Sequence, residues 1–244
     1  MAFDFKGKTA LVTGVTKGIG RQIAIELSKS NARVIGVGRT KELLAELTTQ
    51  HPSIKTIALD ISDWKKTGEV LSNIGPIDML VNNAAMGWVK SLMDVTEDDF
   101  DSVFSINSKA LINVTQIVIT NLLARNAPGA IVNLSSQASL VGLMNHTVYC
   151  SSKGAVDAFT RAVALEYGPR NIRANSVNPT VIMTEMGRLG WSDPKIKEPM
   201  LQKIPLRRFG EIDDVVGAVL FLLSDKAELI TGVALPIDGG YVCA

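Results

Sequence analysis

Cysteine is nearly absent from this chain: Cys150 and Cys243 are the only two in 244 residues. Two thiols cannot build a disulfide framework, and no metal-ligand spacing surrounds them, so both are expected to be reduced and no metal is expected. An excess of either charge is missing too. Lys and Arg number 25 against 24 Asp and Glu, giving a formal net charge of +1 with no basic block, which argues against a nucleic-acid surface. No apolar run reaches the length of a membrane span, and residues 1–8 lack the basic-then-apolar layout of a secretory signal. A cytoplasmic location with no transmembrane segment is the expectation. Linkers, repeats and low-complexity tracts are absent as well, so one domain over 1–244 is expected.

What is present is a globular composition, 46% hydrophobic and 20% charged, in a chain long enough to bury a sizeable core. Short β-branched runs alternate with longer amphipathic stretches. Strands are expected at 8–13, 33–38, 53–59, 78–82, 129–134, 173–177 and 233–236. Helices are expected up to about residue 28, around Leu43, Leu44 and Leu47, at about 65–74, 97–123 and 213–223, and over the stretch carrying Tyr149. Strands separated by helices require parallel crossovers, hence an α/β doubly wound sheet of seven mostly parallel strands with helices on both faces. The least regular segment, about 184–206, holds Gly187, Gly190, Pro194, Pro199 and Pro205. A long irregular segment in a compact domain is usually functional, and a substrate lid is the expectation here.

After the first strand comes Thr13-Gly14-Val15-Thr16-Lys17-Gly18-Ile19-Gly20, a Gly-x-x-x-Gly-x-Gly turn that opens a helix. Glycines allow a sharp turn and close approach to a pyrophosphate, whose charge a helix N-terminus receives. The second strand ends in Gly38-Arg39-Thr40 without the acid that would accept from ribose hydroxyls. Arg39, Thr40 and Lys17 instead suit a 2′-phosphate, which points to NADP(H) rather than NAD(H). Asp60 ends the third strand and is a candidate acceptor for an adenine amino group. Asn82-Asn83-Ala84-Ala85 ends the fourth, with small residues where a flat ligand would approach.

Tyr149 and Lys153 are four apart and share one helix face. Ser136 lies thirteen residues before Tyr149, just past the strand 129–134. A phenol beside an ammonium makes a usable proton donor, and a hydroxyl can polarise a carbonyl. Bringing Tyr149 from about 10 toward 7 demands roughly 4 kcal/mol, and an ammonium at about 5 Å supplies roughly 3 at an effective dielectric near 20. Lys153 is therefore expected to lower the Tyr149 pKa. Gln137, His146 and Trp191 are the candidate substrate contacts, together with Ser136 and Tyr149.

In this order, the glycine turn, Asp60, Asn82–Ala85, Asn107, Ser136, Tyr149-x-x-x-Lys153 and Asn178-Pro179 resemble the short-chain dehydrogenase/reductase family. Ala85 and Thr180 depart from it, standing where glycine is frequent. The resemblance implies a Rossmann-type fold with Tyr149 as general acid, Lys153 as its electrostatic partner, Ser136 as carbonyl polariser and Asn107 as a relay. It further implies cofactor contacts from Gly14, Thr16, Lys17, Gly18, Ile19, Gly20, Arg39, Thr40, Asp60, Asn83, Ala84, Tyr149, Lys153, Pro179, Val181 and Thr184. Arg39-Thr40, Ser135-Ser136-Gln137, residues 145–150, residues 178–181 and residues 191–194 are similar to the branch that reduces pentuloses and small α-dicarbonyls. What that implies is NADPH-dependent reduction of L-xylulose to xylitol, and of diacetyl, by a homotetramer. Two alternatives stay open: reduction of a 3-ketoacyl thioester or ketosteroid, and an NADP(H)-binding scaffold without turnover.

Overall fold

The computed structural model describes residues 3–243. In chain order it contains β1 (Thr9–Thr13), α1 (Gly18–Lys29), β2 (Arg33–Gly38), α2 (Lys41–Gln50), β3 (Ile54–Ala58), α3 (Trp64–Leu71) and β4 (Met79–Asn82). There follow α4 (Glu97–Phe104), a π turn (Ser105–Ala110), α5 (Leu111–Ala124), β5 (Gly129–Leu134), α6 (Thr147–Tyr167) and β6 (Ile172–Pro179). The chain closes with α7 (Glu185–Gly190), α8 (Pro194–Gln202), α9 (Ile212–Leu223) and β7 (Ala234–Ile237).

All seven strands form one sheet of order β3-β2-β1-β4-β5-β6-β7, and every pairing is parallel. The two-residue period of a strand sends alternate side chains to opposite faces, and both faces here are apolar. On β1, Ala10 and Val12 join Ile23 and Leu27 of α1 and Val215 and Val219 of α9 in one core. Leu11 faces the other way, with Leu71 of α3, Val114 and Val118 of α5 and Val163 of α6. Winding proceeds outward through β2 and β3, then returns to β4 on the other side of β1. The C-terminal ends of β1 and β4 therefore flank the switch point where such sheets bind ligands.

Two expectations need correction. The segment 184–206 holds two short helices rather than irregular chain. Thr184 caps one by accepting from Gly187 N, Asp193 caps the other by accepting from Lys195 N, and Pro194 occupies its first turn. The helix expected over 97–123 starts at the Thr96–Asp99 capping box but is broken by the π turn. By length and composition alone Glu97–Ala124 is apolar enough for a membrane span, a test that the core helix of a folded domain also passes. Val114, Val118 and Leu122 nevertheless lie in the core, as in the buried helix of a folded domain.

Candidate active site

A cavity of about 630 Å³ opens at the switch point. Gly14, Thr16, Lys17 and Gly18 line it from the glycine turn, Arg39 and Thr40 from the end of β2, and Asp60 from the end of β3. Asn83 and Ala84 line it beyond β4, and Thr184 from the start of α7. Ten of the expected cofactor contacts thus converge on one space. Ile19, Gly20, Tyr149, Lys153, Pro179 and Val181 do not line it. The sequence reading missed Val37, Leu43, Leu59, Ile61, Met86, Ile106, Glu185 and Leu189, which also line it. Their one available signal was position: Leu59 and Ile61 flank Asp60, and Ile106 precedes Asn107.

The glycine turn owes much of its composition to protein packing. Asn83 Nδ2 donates to Thr13 O at 3.0 Å and Gly14 O at 3.1 Å, clamping the turn to the end of β4. Asn83 N and Ala84 N both donate to Thr13 Oγ1. A Cβ on Gly14, at φ +73°, would stand 2.7 Å from Asn83 Nδ2, so this glycine serves the clamp as well as the turn. Helix α1 begins at Lys17 with no side-chain cap and no acid in its first turn. Its free N–H groups face the end where a phosphate would sit.

Ser136, Tyr149 and Lys153 come together at the ends of β5 and α6. Lys153 is buried, donates to Leu134 O at 2.7 Å, and holds its Nζ 5.6 Å from the centre of the Tyr149 ring. Burial pushes its ammonium down to about 8, opposed by the charge of Asp157. Tyr149 moves the other way from the expectation. Desolvation raises its phenol above the ordinary value, a hydrogen bond with Ser136 partly offsets that, and Cys150 adds to the rise. Here the low-dielectric surroundings decide the direction, because a phenolate loses more hydration than the Ser136 hydrogen bond returns. The unliganded protein therefore holds a protonated phenol.

Neighbouring residues fix this group in place. The ring of Tyr149 lies so close to Gly87 that a Cβ there would be 2.7 Å from its Cδ2. Asn107, inside the π turn, accepts from Met86 N at 2.9 Å and donates to Met86 O at 2.8 Å and Ser152 Oγ at 3.0 Å. Its amide ties the loop after β4 to the helix between Tyr149 and Lys153. A π turn widens the helix so that this side chain can leave the ladder, which is a frequent arrangement at functional sites.

The expected substrate contacts divide. Gln137 is buried beside Ser136 with its Oε1 lacking any protein partner. His146 meets Tyr149 edge-on at 6.4 Å, and its Nδ1 donates to Met144 O at 2.7 Å, which makes Nε2 the acceptor of the neutral ring. Trp191 instead packs edge-on against Phe209 at 5.2 Å, anchoring the chain between α7 and α8. Among the described residues no group of His, Cys, Asp and Glu is arranged to hold a metal ion.

Residues 14–242 match the family model described as enoyl-(acyl carrier protein) reductase. L-xylulose reductase of Bos taurus is 50% identical over 242 residues, covering 99% of each chain. Carbonyl reductase [NADPH] 2 of Sus scrofa is 42% identical over the whole of both. The crystal structure of a gluconate 5-dehydrogenase from Burkholderia cenocepacia J2315 with NADP and tartrate superposes with a TM-score of 0.94 at 28% identity, covering 99% of this chain and 98% of that one. Such end-to-end likeness, joined to this sheet order and these motifs, means that the chain belongs to the short-chain dehydrogenase/reductase family.

Proposed function

We propose that this chain uses NADPH to reduce L-xylulose to xylitol, with related pentuloses and small α-dicarbonyls such as diacetyl as further substrates. The full-length relatives named L-xylulose reductase and carbonyl reductase support the substrate class. Within the site, the observation that carries the reading is the meeting of Ser136, Tyr149 and Lys153: a phenol hydrogen-bonded to a hydroxyl with a buried ammonium 5.6 Å from its ring suits carbonyl reduction, and His146 stands edge-on to the same phenol.

The residues present fit NADPH. Lys17, Arg39 and Thr40 bring two cations and a hydroxyl to the cleft, with no acid at the end of β2 itself, and the uncapped start of α1 suits phosphate charge. When bound, the cofactor supplies the hydride. Tyr149, kept protonated by burial, gives its proton to the carbonyl oxygen as that oxygen gains negative charge. Ser136 donates to the same oxygen, an interaction that strengthens toward the transition state. Lys153 stabilises the phenolate left behind and, with the cofactor bound, would also donate to it. Thr184 on the cleft wall, with Pro179 and Val181 just before it in the chain, would help to hold the nicotinamide end. Residues 184–206 act as the substrate lid of a single domain; Thr184, Glu185 and Leu189 on the cleft wall support that role, with Trp191 as its anchor. The enzyme works as a cytoplasmic homotetramer, for which light scattering should read four chains per particle.

The test is NADPH oxidation with L-xylulose, diacetyl and an acetoacetyl thioester. Turnover of the first two is expected; reduction of the thioester alone would overturn the substrate reading.

A further inference from the structure

Asp157 is a carboxylate enclosed in the core that neither the cofactor cleft nor the proton transfer uses. It lies one turn beyond Lys153 on α6, and both belong to the buried face of that helix with Ser152, Val156 and Thr160. Two side chains of β6 hold it: Ser176 Oγ donates to its Oδ1 at 2.7 Å, and Asn178 Nδ2 donates to its Oδ2 at 2.8 Å. Asn178 Nδ2 also reaches Ser139 Oγ at 2.7 Å and Ser136 O at 3.2 Å. A single acid thus connects the helix of Tyr149 and Lys153, the strand beneath it and the turn that carries Ser136. Removing one partner of a buried charge is far more damaging than removing an exposed one, so the placement of this acid has a mechanical consequence.

We propose that Asp157, seated by Ser176 and Asn178 of β6, is a positioning residue of the reaction: the buried counter-charge that keeps the Lys153 ammonium in place beside Tyr149. This rests on the roles given above to Tyr149, Lys153 and Ser136. The surroundings leave Asp157 without a competitor for this task. Tyr149 and Cys150 are the titratable neighbours on α6 itself. From β5 Lys153 meets the carbonyl of Leu134, from β6 come Ser176 and Asn178, and from the π turn come Asn107 and Ser108. Helix α4 also packs on α6, but its Glu97, Asp98 and Asp101 are exposed and its Asp99 is paired with Lys90 at 2.6 Å. Lys109, Arg161 and Arg170 are exposed. Asp157 is accordingly the charge that opposes the desolvation of Lys153. Across one helical turn, about 6 Å, a unit charge at an effective dielectric near 20 shifts its partner by roughly two pH units.

The experiment titrates Lys153 directly, by NMR of protein carrying lysine labelled with carbon-13 at Cε, with Lys153→Met assigning the signal. The wild-type midpoint should fall at about 8. In Asp157→Asn it should fall roughly one to two pH units lower, and in Asp157→Glu it should return close to the wild type. In parallel, kcat for NADPH-dependent reduction is followed from about pH 6 to about pH 9. With the midpoint lowered, Asp157→Asn should lose about tenfold in kcat near pH 8, approach the wild type near pH 6, and keep its KM for NADPH within about twofold. A purely structural defect would lower kcat equally at every pH, and that result would overturn the proposal. So would turnover with an unmoved Lys153 midpoint, which defeats the proposal alone. Absence of any turnover in the wild type overturns it together with the reading it rests on, and the titration tells the two failures apart. Should Asp157→Asn not fold, Asp157→Ser, smaller and equally uncharged, is measured with the same expectations.

Discussion

Replacing Lys153 with Met should make the unliganded protein more stable while destroying its activity. The folded chain lowers this ammonium from 10.5 to about 8 by burying it. That difference corresponds to about 3 kcal/mol of destabilisation wherever the lysine is charged in both states. Methionine has a similar reach and no charge, so the term disappears. Against it stands Leu134 O, which loses its 2.7 Å donor, an effect of about 1–2 kcal/mol. The net gain at neutral pH is about 1–2 kcal/mol, or about 3–6 °C in Tm for a chain of this size. The pH dependence has a defined sign. Between pH 8 and 10.5 the unfolded chain still binds the proton that the folded one has released, so wild-type stability rises with pH across that window. The Met variant has no such term, and its advantage should shrink over the same window. Urea unfolding of both proteins without cofactor, at about pH 7 and at steps up to about pH 10, measures the gap while cancelling every other titration. A wild type as stable as the variant at neutral pH, or a gap that stays constant up to pH 10, would refute the reasoning. NADPH affinity and turnover should both fall in the same variant if Lys153 has the two roles proposed for it.

Other perturbations separate cofactor choice from chemistry. Arg39→Asp should weaken NADPH about a hundredfold, as charge-assisted contacts to the 2′-phosphate become repulsive, and leave NADH nearly unchanged; fluorescence titration with each cofactor checks it, and equal losses would sink the NADP(H) assignment. Tyr149→Phe should reduce kcat by at least about a hundredfold with NADPH binding kept within about threefold, and retained turnover would remove the phenol from the mechanism. Gly87→Ala places a methyl 2.7 Å from the Tyr149 ring. The displaced phenol should lower kcat by about ten- to a hundredfold while NADPH affinity holds, as measured by steady-state kinetics beside equilibrium binding.

The strands were legible because each is a short β-branched run buried on both faces, a pattern that depends on local sequence alone. β6 was read too short because its last residues pair with β7, and Asn178-Pro179 carries no strand propensity of its own. The segment 184–206 was misread for a related reason. Its glycines and prolines suggested a loop, whereas the caps at Thr184 and Asp193 start two helices. Asn107 marked a weak place in a helix, but its π turn depends on Met86 and Ser152, far away in the chain.

Sequence by itself determined the order of the strands, the sheet class and which groups are the candidates for the reaction. Each of these follows from a residue type at a fixed spacing: glycines after a first strand, a cation where an acid would stand, a tyrosine one helical turn before a lysine. Tertiary structure decided how those groups behave. Whether Tyr149 is acidified by Lys153 or held neutral by burial depends on how much water the fold removes, and no spacing encodes that quantity. Tertiary structure likewise buried Asp157 against Ser176 and Asn178 and left Gln137 with an unmatched oxygen, because burial and partnership arise only when distant segments pack.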